Sequence, residues 1–136
     1  MVRVINPDAP GKMRNNQIKL ILFAIRELMH QKEPDETSQD LVAYIGLSLG
    51  KIYDNIEKSV EAWEKRGYWL KADRFRLEWE WTKLVGDELC KAVQQEDWGT
   101  VAVKSAFVAQ KLSGTRLPKT NRSGPVWTGF RHKLMG

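Results

Sequence analysis

Residues 68–94 read YWLKADRFRLEWEWTKLVGDELCKAVQ, and their periodicity decides the fold. Apolar side chains recur at three- and four-residue intervals, the spacing of helix faces. One stripe runs Tyr68, Ala72, Phe75, Trp79, Thr82, Gly86, Leu89, Cys90 and Val93. A second, roughly opposite, runs Leu70, Leu77, Trp81, Leu84, Val85 and Ala92. A surface helix of a monomer ordinarily carries one stripe. Two stripes predict a helix that is central or that meets a second chain. Leu70, Leu77, Trp81, Leu84 and Val85 are therefore the candidate oligomer interface, with Trp81 its expected anchor. Asp73, Arg76, Glu80, Lys83, Asp87 and Lys91 fill the remaining arc, whose mixed sign reads as a solvated face. Arg74 and Glu78 lie at i, i+4 beside apolar arcs and predict a partly buried ion pair.

Three more helices flank this one. The first is expected from Gln17 to near Lys32, on a stripe of Ile18, Ile21, Leu22, Ile25, Leu28 and Met29, with Pro34 disfavouring helix at Glu33. The second begins near Thr37 or Ser38, either of which can cap it. Its stripe is Leu41, Ile45, Leu49, Ile52, Ile56, Val60 and Trp63, and Gly67 after Lys65 and Arg66 marks its end. Asp54–Lys58 and Glu61–Lys65 are i, i+4 pairs on its outer face. Gly46 and Gly50 lie one turn apart within it, and a helical Gly costs about 1 kcal/mol relative to Ala. A closely approaching backbone is the expected compensation. The fourth helix runs over residues 98–112, capped by Asp97. The short join before it forces an antiparallel hairpin.

The expected fold class is therefore all-α, an antiparallel up-down-up-down four-helix bundle over residues 15–112. An extended basic leader, residues 1–14, precedes it. An irregular basic tail, residues 113–136, follows, containing Gly114, Pro118, Gly124, Pro125 and Gly129.

Charge is distributed unevenly over these parts. The 136 residues carry a formal net charge of +5, from 22 Lys and Arg against 17 Asp and Glu. The leader is net +2, the helical body net −2 and the tail net +5. The excess sits at the ends. A solubilising tail is one reading; an arm that neutralises phosphates is the other. The candidate nucleic-acid-binding residues are Lys12, Arg14, Arg116, Lys119, Arg122, Arg131, His132 and Lys133. Trp127, Phe130 and Leu134 recur among them and either dock the tail or contact a partner. Aromatic rings interleaved with cations can stack bases. Among the remaining tryptophans, Trp63, Trp79 and Trp98 fall on inner stripes and are expected in the core.

Several function classes fall away. A single cysteine, Cys90, permits no intrachain disulfide and no cysteine-based zinc site, and its place on the inner stripe reads as core. The longest apolar run, residues 20–25, is far short of the roughly 20 residues of a membrane span. The N-terminus has no apolar signal core, so a cytoplasmic location and no membrane partner are expected. Residues 46–51, GLSLGK, have three residues between the glycines where a phosphate loop has four, and Ile52 replaces its Ser or Thr. His30 and His132 are far apart, and His30 reads as a helix C-terminal residue. No catalytic constellation, metal set or cofactor motif is found, and a non-enzyme is expected.

Leu70-Lys71-Ala72-Asp73 opening a long helix, with AQKLSG over residues 109–114 closing the next, resembles the accessory variability determinant proteins of diversity-generating retroelements. The resemblance spans residues 49–119. It implies a non-enzymatic, basic homo-pentamer that binds a reverse transcriptase and its template RNA. That family tends to place arginines along the middle of the third helix. Here Glu78, Glu80 and Thr82 stand there and only Lys83 is cationic, which moves the expected RNA contacts to the chain ends. The functional expectation is a nucleic-acid-associated adaptor. A small helical subunit of an RNA-guided effector complex and a protein–protein scaffold without nucleic acid are the alternatives.

Overall fold

The computed structural model describes residues 9–135, and the first eight residues of the expected leader lie outside that range. The described residues form six helices and no strand: α1 (Ala9–Met29), α2 (Glu36–Lys65), α3 (Trp69–Trp79), α4 (Trp81–Gln94), α5 (Trp98–Lys111) and α6 (Phe130–Met135). The all-helical class follows from the periodicity. α2 is the hub, packing against α1, α3, α4 and α6, while α5 packs on α4. Its inner face contributes Leu41, Ile45, Leu49, Ile52, Ile56 and Val60, none more than 1% exposed. Burial of each such side chain stabilises the fold by roughly 1.5–3 kcal/mol.

Four boundaries differ from expectation, each for a local reason. α1 starts at Ala9, so residues 9–14 are helical rather than extended. Pro10 falls in the first turn, where an amide N–H would have no intrahelical acceptor, so the proline costs nothing there. α2 is capped by Asp35, whose carboxylate accepts the Ser38 N–H at 2.9 Å. Ser38 is a supporting residue, its hydroxyl donating to the Glu33 carbonyl and to Asp35.

The third difference is the largest. The single helix expected over residues 68–94 is two, broken at Glu80. The buried Thr82 hydroxyl donates to the Trp79 carbonyl at 2.7 Å, and the Lys83 N–H turns to Glu80 at 3.3 Å. A back-bonding threonine of this kind bends a helix. Below the break, α2 and α4 meet at Gly46 and Gly86. A Cβ on Gly46 would lie 2.7 Å from Cys90 Sγ, and one on Gly86 would lie 2.9 Å from the Gly46 carbonyl oxygen. The close approach expected at Gly46 is present. At Gly50 a Cβ would meet nothing within 4 Å, so its cost is not offset by the same contact.

The fourth difference is in the tail, which ends in a docked helix. Asp40 of α2 accepts the Gly129 N–H at 3.1 Å and the Arg131 N–H at 2.9 Å. Phe130 stands edge-on to Tyr44 with ring centroids 4.7 Å apart. Trp127 is buried in the core, and Leu134 packs against it. Of the two readings of these aromatics, docking is the one observed. No helix among the described residues is long and apolar enough to cross a membrane.

Candidate nucleic-acid interface

The cations expected to form one basic surface are dispersed. Arg116 and Lys119 are exposed on the segment between α5 and α6. Arg122 lines a small groove of about 330 Å³ against α1, with Asn16, Lys19 and Asn121. Lys133 lies on the other side of α6, its Nζ 4.4 Å from the Phe130 ring centroid. There it shares a groove with Lys51 and Lys83, whose charge Asp54 and Asp87 offset. His132 is exposed, and Arg131 is half-buried with its backbone held by Asp40. The tail is thus a strap laid over the helices rather than a free arm.

A different set of cations does converge. Where the start of α1 lies beside the second half of α2, with Phe75 of α3 nearby, an open groove of about 580 Å³ is lined by Lys12, Arg14, Lys58 and Arg66. Asn15, Ser59, Trp63 and Phe75 are among its other lining residues, and no carboxylate is. Lys58, Ala62 and Arg66 reach it because i, i+4 and i+8 share one helix face. Lys12 and Arg14 reach it because residues 9–14 are helical and continue α1 alongside the second half of α2.

Arg14 does a different job from the one its sequence position predicts. Its Nη1 donates to Asn55 Oδ1 at 2.8 Å, and its guanidinium lies 5.1 Å from the Phe75 ring centroid and 5.9 Å from that of Trp79. Burial lowers its pKa, opposed by the nearby Glu78 carboxylate. Arg14 therefore ties α1 to α2 and α3 and forms the groove floor. Trp63 belongs to the floor too, tilted against Phe75 at 4.8 Å and covered by Lys71 Nζ at 4.5 Å.

Two more expectations are corrected on α3. Arg74 and Glu78 are both exposed and do not form an ion pair with each other. The ion pairs centre on Arg76, which reaches Glu57 at 3.7 Å, Glu64 at 3.4 Å and Asp73 at 3.4 Å. The proposed oligomer stripe divides in two. Leu70, Leu77 and Leu84 are 66%, 67% and 64% exposed, one per seven residues. Val85 is buried in the chain's own core, so it is not available to a second chain. Trp81 is half-buried, stacked on Trp79 at 6.5 Å and edge-on to Phe107 at 5.7 Å. Val85 and, in part, Trp81 face inward, while the three leucines stay outside.

The sequence reading missed Lys58 and Arg66. Summing charge by segment placed them in a slightly acidic body, and Lys58 was paired with Asp54. The Glu61–Lys65 pair forms at 3.3 Å, whereas no Asp54–Lys58 bridge is present among the described residues. The i, i+4 spacing of Lys58, Ala62 and Arg66 was the legible signal. That α1 would close the groove was not.

Neither Cys90 nor His30 lines the groove. Burial, with Asp87 nearby, pushes the Cys90 thiol up to about 11. His30 is exposed just beyond α1, and its N–H donates to the Glu27 carbonyl at 3.0 Å. Comparison of the chain with family models, with curated proteins and with solved structures returned no match.

Proposed function

We propose that this protein is a non-catalytic adaptor that binds nucleic acid through the groove between α1, α2 and α3. The observation that carries the reading is the convergence of Lys12, Arg14, Lys58 and Arg66 on one groove whose lining holds no carboxylate. Lys12, Lys58 and Arg66, with Arg14 beside them and Glu78 partly offsetting Arg14, form a local positive potential that a phosphate backbone satisfies. Arg116, Lys119 and Arg122 on the strap extend the contact at lower density.

Salt dependence tests it. Each neutralised phosphate contributes about 0.7–0.9 to the slope of log affinity against log salt. The triple variant K12A/K58A/R66A therefore flattens the slope by about 2–3, read by fluorescence anisotropy with a labelled oligonucleotide. Removing the strap cations together, R116A/K119A/R122A, flattens it less. An unchanged slope in the groove variant overturns the reading.

The adaptor also associates with itself, and the ridge of Leu70, Leu77 and Leu84 supports that part of the reading. Exposed leucines at seven-residue spacing present an apolar seam of the kind that helices bury against one another. Light scattering of wild type and L77S/L84S tests it: the wild type is an oligomer and the variant is smaller. A protein–protein scaffold rests on the same ridge and differs in predicting no nucleic-acid affinity. The architecture that accompanies this function is an antiparallel bundle of four arms, with α3 and α4 together as the third. Resemblance to accessory variability determinant proteins supports a reverse transcriptase as protein partner and its template RNA as the nucleic acid. Co-purification of this chain with a reverse transcriptase of a diversity-generating retroelement checks that partner, and failure to co-purify overturns it.

A further inference from the structure

Beside the groove, at the α2–α3 turn, lies a second hollow of about 490 Å³, lined by Gly67, Tyr68, Trp69, Leu70, Lys71 and Arg74. Arg66 lines the first hollow and Gly67 the second, and Lys71 covers the Trp63 ring that forms part of the first floor. The two hollows are neighbours. Its rings fall into two kinds. Trp63 and Phe75 are engaged by each other and by Lys71 and Arg14, so their faces are occupied. Tyr68 and Trp69 are 57% and 60% exposed, and neither makes an aromatic or cation–π contact among the described residues. Two adjacent rings with uncovered faces stand at the lip of a cationic groove.

The turn that presents them is pinned. Gly67 adopts φ +83°, a left-handed conformation that a side chain would strain. The Tyr68 N–H donates to the Trp63 carbonyl at 2.9 Å, and the Tyr68 carbonyl accepts the Ala72 N–H at 3.0 Å. A ring on a fixed backbone loses little further freedom on binding.

We infer that the site takes a single-stranded nucleic acid, with unpaired bases stacked on Tyr68 and Trp69 and the adjoining phosphates in the groove. This inference rests on the function proposed above and narrows it. The chemistry favours a single strand because base faces within a duplex are already stacked on one another, whereas an unpaired base has a free face. Lys71 and Arg74 flank the rings and match the charge of the phosphates that would follow. No sequence-specific readout is built in, since a ring face accepts any base.

The test measures anisotropy of a labelled 12-nucleotide single strand and of a duplex of the same length, for wild type, Y68A/W69A, Y68F/W69F and K58A/R66A. The wild type prefers the single strand. Y68A/W69A weakens single-strand binding by at least about fivefold, the low end for loss of base stacking, and leaves duplex binding and the salt slope unchanged. Y68F/W69F retains most of the single-strand affinity, which separates ring stacking from any effect on the turn. K58A/R66A weakens both ligands together. Unchanged single-strand affinity in Y68A/W69A overturns the inference, as does equal wild-type affinity for both ligands. In either case the groove still binds phosphates and the broader function stands. If wild type binds neither oligonucleotide, the function and this inference fall together. If Y68A/W69A lowers the mass by light scattering and leaves single-strand affinity intact, the turn is a protein interface and the inference is overturned.

Discussion

α3 and α4 follow one another with a single residue between them, and both pack on α2, yet they meet it in opposite ways. α4 buries Thr82, Val85, Gly86, Leu89, Ala92 and Val93. α3 buries only Ala72. The difference lies in what each can bring close. Gly86 lets the α4 backbone come to within van der Waals contact of Gly46, so branched side chains on either side interlock. α3 has no such residue. Arg76 ties it to Glu57 and Glu64 of α2, and Arg14 of α1 lies against its Phe75 and Trp79 rings; contacts of this kind keep a helix in place without enclosing it. The result is a division of labour along one arm: α4 supplies stability, and α3 supplies an accessible surface carrying Tyr68, Trp69, Leu70 and Leu77.

The sharpest test of that division compares two leucines. Leu89 on α4 is fully buried and Leu77 on α3 is two-thirds exposed. Leu89→Ala should cost about 2–5 kcal/mol in chemical denaturation, through lost transfer energy and the cavity left behind. Leu77→Ala should stay within about 0.5 kcal/mol at concentrations where the protein is monomeric. Similar costs for the two would break the comparison.

Glycines test the contact itself. Gly86→Ala places a Cβ 2.9 Å from the Gly46 carbonyl oxygen and 3.1 Å from the Leu49 Cβ. Neither neighbour can swing aside, so overpacking should destabilise by about 1–3 kcal/mol, lowering the thermal midpoint. Gly50→Ala, one turn from Gly46 in open space, should instead raise stability by up to about 1 kcal/mol through helix propensity. Two alanines of opposite sign, one on each of the two packed helices, would locate the approach to one point.

Acidification gives a smaller effect. Hydrogen bonds from Ser38 hold the Asp35 carboxyl below its ordinary pKa at the start of α2, and Thr100 does the same for Asp97 at the start of α5. A depressed folded-state pKa means stabilisation that is present above the unfolded value and lost as pH falls through the folded one. Thermal midpoints should therefore decline below the ordinary carboxylate range, and Asp35→Asn and Asp97→Asn should each reduce that decline. α3 has no side-chain cap of this kind. The smallest effect is on Cys90. With its pKa near 11 the thiol is almost wholly protonated at neutral pH, so iodoacetamide should label the native protein far more slowly than the unfolded chain.

Much of the helical layout was legible in the residues. Asp97 was identified as the cap of the last long helix, and its carboxylate accepts the Thr100 N–H at 3.2 Å. Gly67 was identified as a stop, and it takes the positive φ that makes it one. Signals of this kind are local, and a local signal survives whatever the rest of the chain does. The break at Glu80 was not legible, because residues 77–84 keep an unbroken apolar period. Only the burial of Thr82 turns its hydroxyl back onto the Trp79 carbonyl. The groove was hidden for a related reason. Lys12 and Arg66 are 54 positions apart in the chain, and segment-wise charge cannot register that they share a hollow.

By itself, then, the sequence determined the all-helical class, the ends of α2, α4 and α5 nearest their turns and the inner face of α2. These follow from side-chain period, capping chemistry and backbone restriction, each acting within a few residues. The tertiary structure alone decided which stripe of residues 68–94 is enclosed and which is presented. It also decided that the tail lies docked under Asp40 and that four cations from α1 and α2 gather in one place. Those outcomes depend on how closely two helices can approach, and that distance is set jointly by Gly46 and Gly86, which no single stretch of chain contains.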